Sequence, residues 1–107
     1  VGEVLVRRDE DGRLVGFTLQ GMQTDITASA SAVHLLRATV ASVSSYLYIR
    51  PTFSAGKEFV LTIDRSDPHL DREIDAIMET LLIGLKMLEK EYPHDLVVRE
   101  AGAKVRV

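Results

Sequence analysis

The sequence predicts an α+β fold in two layers, a mainly antiparallel sheet with two helices on one face, in the order ββαββαβ. Three observations predict it. Apolar residues recur at steps of three and four over two long segments, the period of a helix face. They alternate over several shorter runs, the period of a half-buried strand. Each helical segment follows a pair of strand-like runs, and a last strand-like run closes the order.

Val4 and Val6 alternate with Glu3, Leu5 and Arg7, and Asp9-Glu10-Asp11-Gly12 supplies turn chemistry. From Arg13 to Gln20, Val15, Phe17 and Leu19 share a face, which completes a β-hairpin. Gly21 to Ala28 is polar and aperiodic, a loop. Val33, Leu36, Val40, Val43 and Leu47 then line one side of a helix, with Ser29 or Ser31 available as its N-cap. Ala30, Ala32, Ala38 and Ala41 allow close packing. The β-branched and serine content between Thr39 and Ser45 lowers intrinsic helicity, so tertiary packing must sustain this helix. Ile49 to Phe53 and Glu58 to Asp64 pair through Ser54-Ala55-Gly56-Lys57, with Phe59, Leu61 and Ile63 on one apolar face. Pro51 confines the first of these to an edge or a short strand.

The strongest pattern is a helix from Pro68 to Glu91. Leu70, Ile74, Ile77, Leu81, Leu85 and Leu88 form its apolar stripe, widened by Met78 and Leu82. Asp67 caps its start, and Pro68 suits the first helical position, where a missing N–H costs nothing. Asp71 and Glu73 sit near the positive end of the macrodipole, Lys86 and Lys90 near the negative end, and Pro93 forbids continuation. Leu96 to Glu100 is the final strand, which Ala103 to Val107 extends or lets fray.

A chain of 107 residues with 46% hydrophobic content makes one domain, 1–107. At that size it buries roughly two thirds of its unfolded surface without metals or disulfides. No apolar run approaches the ~20 residues that span a bilayer. Val1 opens directly into a strand-like pattern with no basic and apolar leader, so a cytoplasmic location is expected. The absence of cysteine excludes disulfides, thiolate metal sites and thiol nucleophiles. A formal net charge of −3 argues against free nucleic-acid binding and leaves a basic peptide partner open.

The wording of the segment from Glu79 to Pro93 resembles the terminal helix of the ribosomal-processing cysteine proteases, small bacterial proteins. The run from Arg8 to Phe17 resembles that family's opening hairpin, and Gly21 falls where the family has a glycine at the mouth of its catalytic loop. The resemblance covers almost the whole chain. It implies a homodimer whose partner is the N-terminal extension of a large-subunit ribosomal protein, which the family cuts before ribosome assembly.

In that family a histidine directly follows the glycine, and the next helix begins with the nucleophilic cysteine. A helix N-terminus lowers a thiol's pKa, a nearby imidazole takes its proton, and a mobile loop closes on the peptide. Here Met22 follows Gly21, and it performs no proton chemistry. Matching Ala30-Ser31-Ala32-Val33 to the family's cysteine, two small residues and valine puts Ala30 at the nucleophile position. Ser29 is the next placement. His34 is the third, reached by counting the longer family loop without a gap. None is a thiol. The resemblance therefore implies a noncatalytic or functionally altered homologue that binds a ribosomal-protein N-terminal peptide or the ribosome, with Gly21 and Asp25 as its binding residues and no cofactor.

The competing reading is a hydrolase using Ser29 or Ser31 with His34. Ser31 and His34 are three apart, and Asp25 on the adjoining loop is an orienting carboxylate. A serine at a helix start is more often a cap, and serine needs stronger base assistance than cysteine. His34, His69 and His94 sit in separate segments without paired-ligand spacing, so no metal is expected. Asp9, Glu10 and Asp11 read as a solvated turn, and Gly12, Gly16 and Gly21 lack the spacing of a phosphate loop. Met78, Leu82 and Met87 read as core filler, while Tyr46, Tyr48 and Arg50 form a small aromatic and basic cluster.

Overall fold

In a computed structural model that describes residues 1–101, five strands form one sheet: β1 (Gly2–Arg8), β2 (Leu14–Gln20), β3 (Thr52–Ala55), β4 (Glu58–Thr62) and β5 (Leu96–Ala101). The helices are α1 (Thr27–Tyr46) and α2 (Asp71–Glu91), the latter entered through a 3-10 turn at Pro68–Leu70. This is the expected order. The segment Ala103 to Val107 lies outside the described residues. Across the sheet the strands run β3-β4-β2-β1-β5; every pairing is antiparallel except that of β1 with β5.

The first hairpin is built by Asp9. Its carboxylate accepts the amides of Asp11 and Arg13, both at 2.9 Å, and the Arg13 guanidinium at 2.8 Å. Gly12 takes φ +82°, which closes the turn at no steric cost. Beyond it, Arg7 pairs with Gly16 but Arg8 with Leu14, leaving Val15 as the extra residue of a β-bulge. The bulge corrects the expected face of β2. Leu14, not Val15, is fully buried beside Phe17 and Leu19, and the Val15 carbonyl instead accepts the Ile63 amide at 2.9 Å.

The helices cover one face of the sheet. Val4, Val6, Phe17, Leu19 and Leu61 meet Leu36 and Val43 of α1 and Ile74, Met78 and Leu85 of α2 in one core cluster. Ile77 and Leu88, expected within the stripe, are only partly buried at its margin. The second hairpin is shifted as well. Pro51 lacks the N–H a ladder needs, so β3 begins at Thr52 rather than Ile49; it runs on to Ala55, taking Ser54 and Ala55 from the expected turn, and β4 ends at Thr62. Asp67 and Pro68 act as expected but on the 3-10 turn: the Asp67 carboxylate accepts the His69 amide at 2.9 Å and Pro68 occupies the turn's first position, while α2 itself starts later than expected, at Asp71, with Leu70 as an N-cap that makes no side-chain bond.

Arg65 ties the start of α2 to the sheet. Its guanidinium, whose side chain is 3% exposed, donates to the Leu14 carbonyl at 2.7 Å and to Asp71 Oδ1 at 2.7 Å, and it also bonds Asp75. Arg13 reaches the same Asp71 oxygen at 3.0 Å. The Arg65 hydrogen bond, aided by Arg13, holds the Asp71 carboxyl below the usual carboxylate range against an opposing desolvation. A folded-state pKa below the unfolded one stabilises the fold above the unfolded value, and that stabilisation is lost as pH falls through the folded value. Thermal midpoints are therefore expected to fall as the pH drops below about 4, and Asp71→Asn to lower the neutral-pH midpoint while making the acid fall shallower. Melting curves across that range check this; an unchanged acid profile in the variant contradicts it.

Candidate functional site

At the end of β2 the chain turns sharply at Gly21, whose φ is +71°. The turn passes close under the N-terminal segment: a Cβ on Gly21 would lie 3.0 Å from the Val1 carbonyl oxygen. Glycine is needed there both for the left-handed backbone and for that approach. The next residue, Met22, swings back across β1. A Cβ on Gly2 would sit 3.2 Å from both its Sδ and its Cε, and Gly2 is also held by its own amide, which donates to the Asp95 carbonyl at 2.9 Å. Met22 and Ile26 pack partly buried against the core. The Gln23 carbonyl accepts the Ile26 amide at 2.8 Å, and the Ile26 carbonyl accepts that of Ala30 at 3.0 Å, which starts α1.

This early start corrects the expected cap. Ile26 is the N-cap, in extended backbone and with no side-chain cap hydrogen bond, so Ser29 and Ser31 already lie inside the helix and the loop ends at Ile26 instead of Ala28. Ala28 and Ser29 turn into the core, Ser29 with 1% exposure. Ala30 faces outward, Ser31 is half-buried and His34 is exposed. Asp25 is exposed on the loop, and among the described residues no hydrogen bond joins it to Ser31 or His34, or those two to each other.

The named residues divide between two cavities. Gly21 and Gln20 line one of about 580 Å³ together with Ser54, Ala55, Lys57 and Glu58 of the β3–β4 hairpin. Ala30, Ser31 and His34 line another, of about 660 Å³, between α1 and the end of α2, where Gly84, Met87 and Glu91 form the far wall. Met22 lies on Gly2 and lines neither. The hairpin residues are what sequence reasoning missed. They reach Gly21 because β4 pairs with β2 in a register that sets Gln20 against Glu58, a long-range pairing that no local pattern signals. Among the described residues no three His, Asp or Glu side chains cluster as metal ligands, and no helix is long and apolar enough to cross a membrane. His69 and His94 stand exposed beyond the two ends of α2.

No protein-family model matches the sequence, and no curated protein matches it by sequence. Solved structures do match by shape. The essential ribosomal processing protease Prp from S. aureus, in complex with a substrate peptide, superposes with a TM-score of 0.83 over 94% of this chain and 100% of its own, at 18% identity. The fold is that of the ribosomal processing protease Prp. The same S. aureus protease with a covalently linked product peptide gives a TM-score of 0.80 at 19% identity, with the same coverage. A Streptococcus mutans protein gives 0.80 at 13% identity, over 94% of this chain and 93% of its own. A Prp fold without cysteine holds no thiol for a cysteine-protease mechanism.

Gly21 gives a direct check on this geometry. Gly21→Ala is expected to destabilise the fold by about 1–2 kcal/mol, the left-handed backbone penalty, with more if Val1 fails to shift. Gly56→Ala, whose Cβ would meet nothing within 4 Å, is the control; it is expected to stay within about 0.5 kcal/mol of the parent in urea denaturation.

Proposed function

We propose that this chain is a noncatalytic Prp-like protein that holds an extended ribosomal-protein peptide, free or on the ribosome, in the cavity beside Gly21. It acts in the cytoplasm and as a homodimer. The observation that carries this reading is the combination of a complete Prp fold and the left-handed Gly21 turn with Met22 at the next position, its thioether packed on Gly2. By resemblance that position belongs to the proton-carrying imidazole. A thioether neither takes nor returns a proton near neutral pH, so the chain keeps the glycine turn without the chemistry that follows it. The S. aureus protease with this fold is known in complex with a substrate peptide, which supports a peptide as the ligand class here.

The burial of Ser29 weighs against the hydrolase alternative, because a nucleophile must reach the scissile carbonyl. Ser31 and His34 open on the interhelical cavity and not on the one beside Gly21. The test is titration calorimetry with a synthetic peptide of the N-terminal extension of the large-subunit ribosomal protein, followed by mass spectrometry of the mixture. Saturable binding is expected, with the peptide intact after prolonged incubation and the result unchanged in Ser31→Ala and His34→Ala. Cleavage that disappears in Ser31→Ala establishes the hydrolase instead, and an absence of binding removes the proposal.

A further inference from the structure

The two edges of the sheet are built differently. Along β5, Val98 directs its amide away from β1 and Glu89 of α2 caps it at 2.9 Å, while Arg99 pairs with Glu3 at 2.8 Å and Glu100 with Arg8 at 2.9 Å. A capped amide and a row of charges are the means by which proteins protect an edge from unwanted pairing. The β3 edge, Thr52-Phe53-Ser54-Ala55, has no charge, and among the described residues no side chain hydrogen-bonds its backbone. The register shows which groups it leaves open. Gly56 donates its amide to the Glu58 carbonyl at 3.1 Å, and bonded pairs alternate with non-bonded pairs in an antiparallel ladder. Ser54 and Thr52 therefore bond β4, while Phe53 and Ala55 direct amide and carbonyl outward.

That open edge runs into the Gly21 cavity, since Ser54 and Ala55 belong to both. Phe53 is pinned from the helix side, where the Arg37 guanidinium lies 5.8 Å from its ring centroid and 5.8 Å from that of Phe59. The edge is thus both uncapped and held in place. We propose that β3 accepts an extended peptide as an added strand, with main-chain hydrogen bonds to Phe53 and Ala55 and its end in the Gly21 cavity. This rests on the peptide-binding reading above and specifies how the peptide is held. The occupant is a segment poor in Lys and Arg. Arg50 and Lys57, exposed and without an ion pair among the described residues, flank the strand and repel a basic one, against the basic partner that the net charge left open.

The test combines amide hydrogen exchange on the unmodified protein with fluorescence anisotropy, using a fluorescein-labelled peptide of the ribosomal-protein N-terminal extension. Peptide is expected to slow exchange at Phe53 and Ala55 while leaving Ser54, already bonded to β4, unchanged. Ala55→Pro removes an outward amide without breaking a β4 ladder bond, and is expected to weaken binding about tenfold by leaving one peptide carbonyl unpaired. Binding with no added protection at Phe53 and Ala55 overturns the strand proposal and leaves the peptide-binding reading intact. No binding overturns both. If Ala55→Pro fails to fold, the exchange result on the unmodified protein decides.

Discussion

The Gly21 end of the molecule depends on one steric constraint, the passage of the backbone beneath the Val1 carbonyl with a left-handed φ of +71°. Only a residue without Cβ makes that turn cheaply. Because the turn is tight, Met22 falls back over Gly2 instead of extending into solvent, and only four residues separate it from α1. The early helix start then decides which side chains face the core and which face out.

The rest of the fold makes that turn rigid. The β1–β2 ladder carries Gly21 to the sheet end, and the parallel pairing of β5 with β1 brings Asp95 onto the Gly2 amide. At the opposite end, Arg65 joins the Leu14 carbonyl to Asp71 and Asp75, so the bulge in β2 and the first turn of α2 share one cation. Breaking one partner of such a buried network costs more than the pair contributes, because the remaining charge stays desolvated. These ion pairs thus serve the scaffold, whereas the Gly21 cavity sets small residues beside Lys57 and Glu58.

The sequence carried the elements more clearly than their meeting points. The cap by Asp67 and Pro68, the stripe on α2 and the Asp9–Gly12 turn were legible because each is a local signal repeated over a few residues. The face of β2 was not, because a single unpaired residue, Val15, shifts the alternation and leaves no mark in composition. Ser29 and Ser31 looked like caps because serine favours that role, yet the Ile26 carbonyl starts the helix earlier and the pull of the core on Ala28 outweighs the missing cap. The division of Gly21 and Ala30 between separate cavities follows from β2–β4 pairing and α1–α2 packing, both long-range, and neither is written in a local motif.

The central claim is that peptide binds at the Gly21 end, and backbone amides report on it from three places: Gly21 and Lys57 on the proposed cavity, Met78 in the core, and Ser31 and Met87 on the interhelical cavity. Nitrogen-15 labelling, with NMR titration of the ribosomal-protein peptide, reads them all at once. The expected result is saturable shifts of the Gly21 and Lys57 amides with Met78, Ser31 and Met87 unmoved. Shifts of Ser31 and Met87 with Gly21 and Lys57 unmoved would place the peptide between the helices and contradict the account.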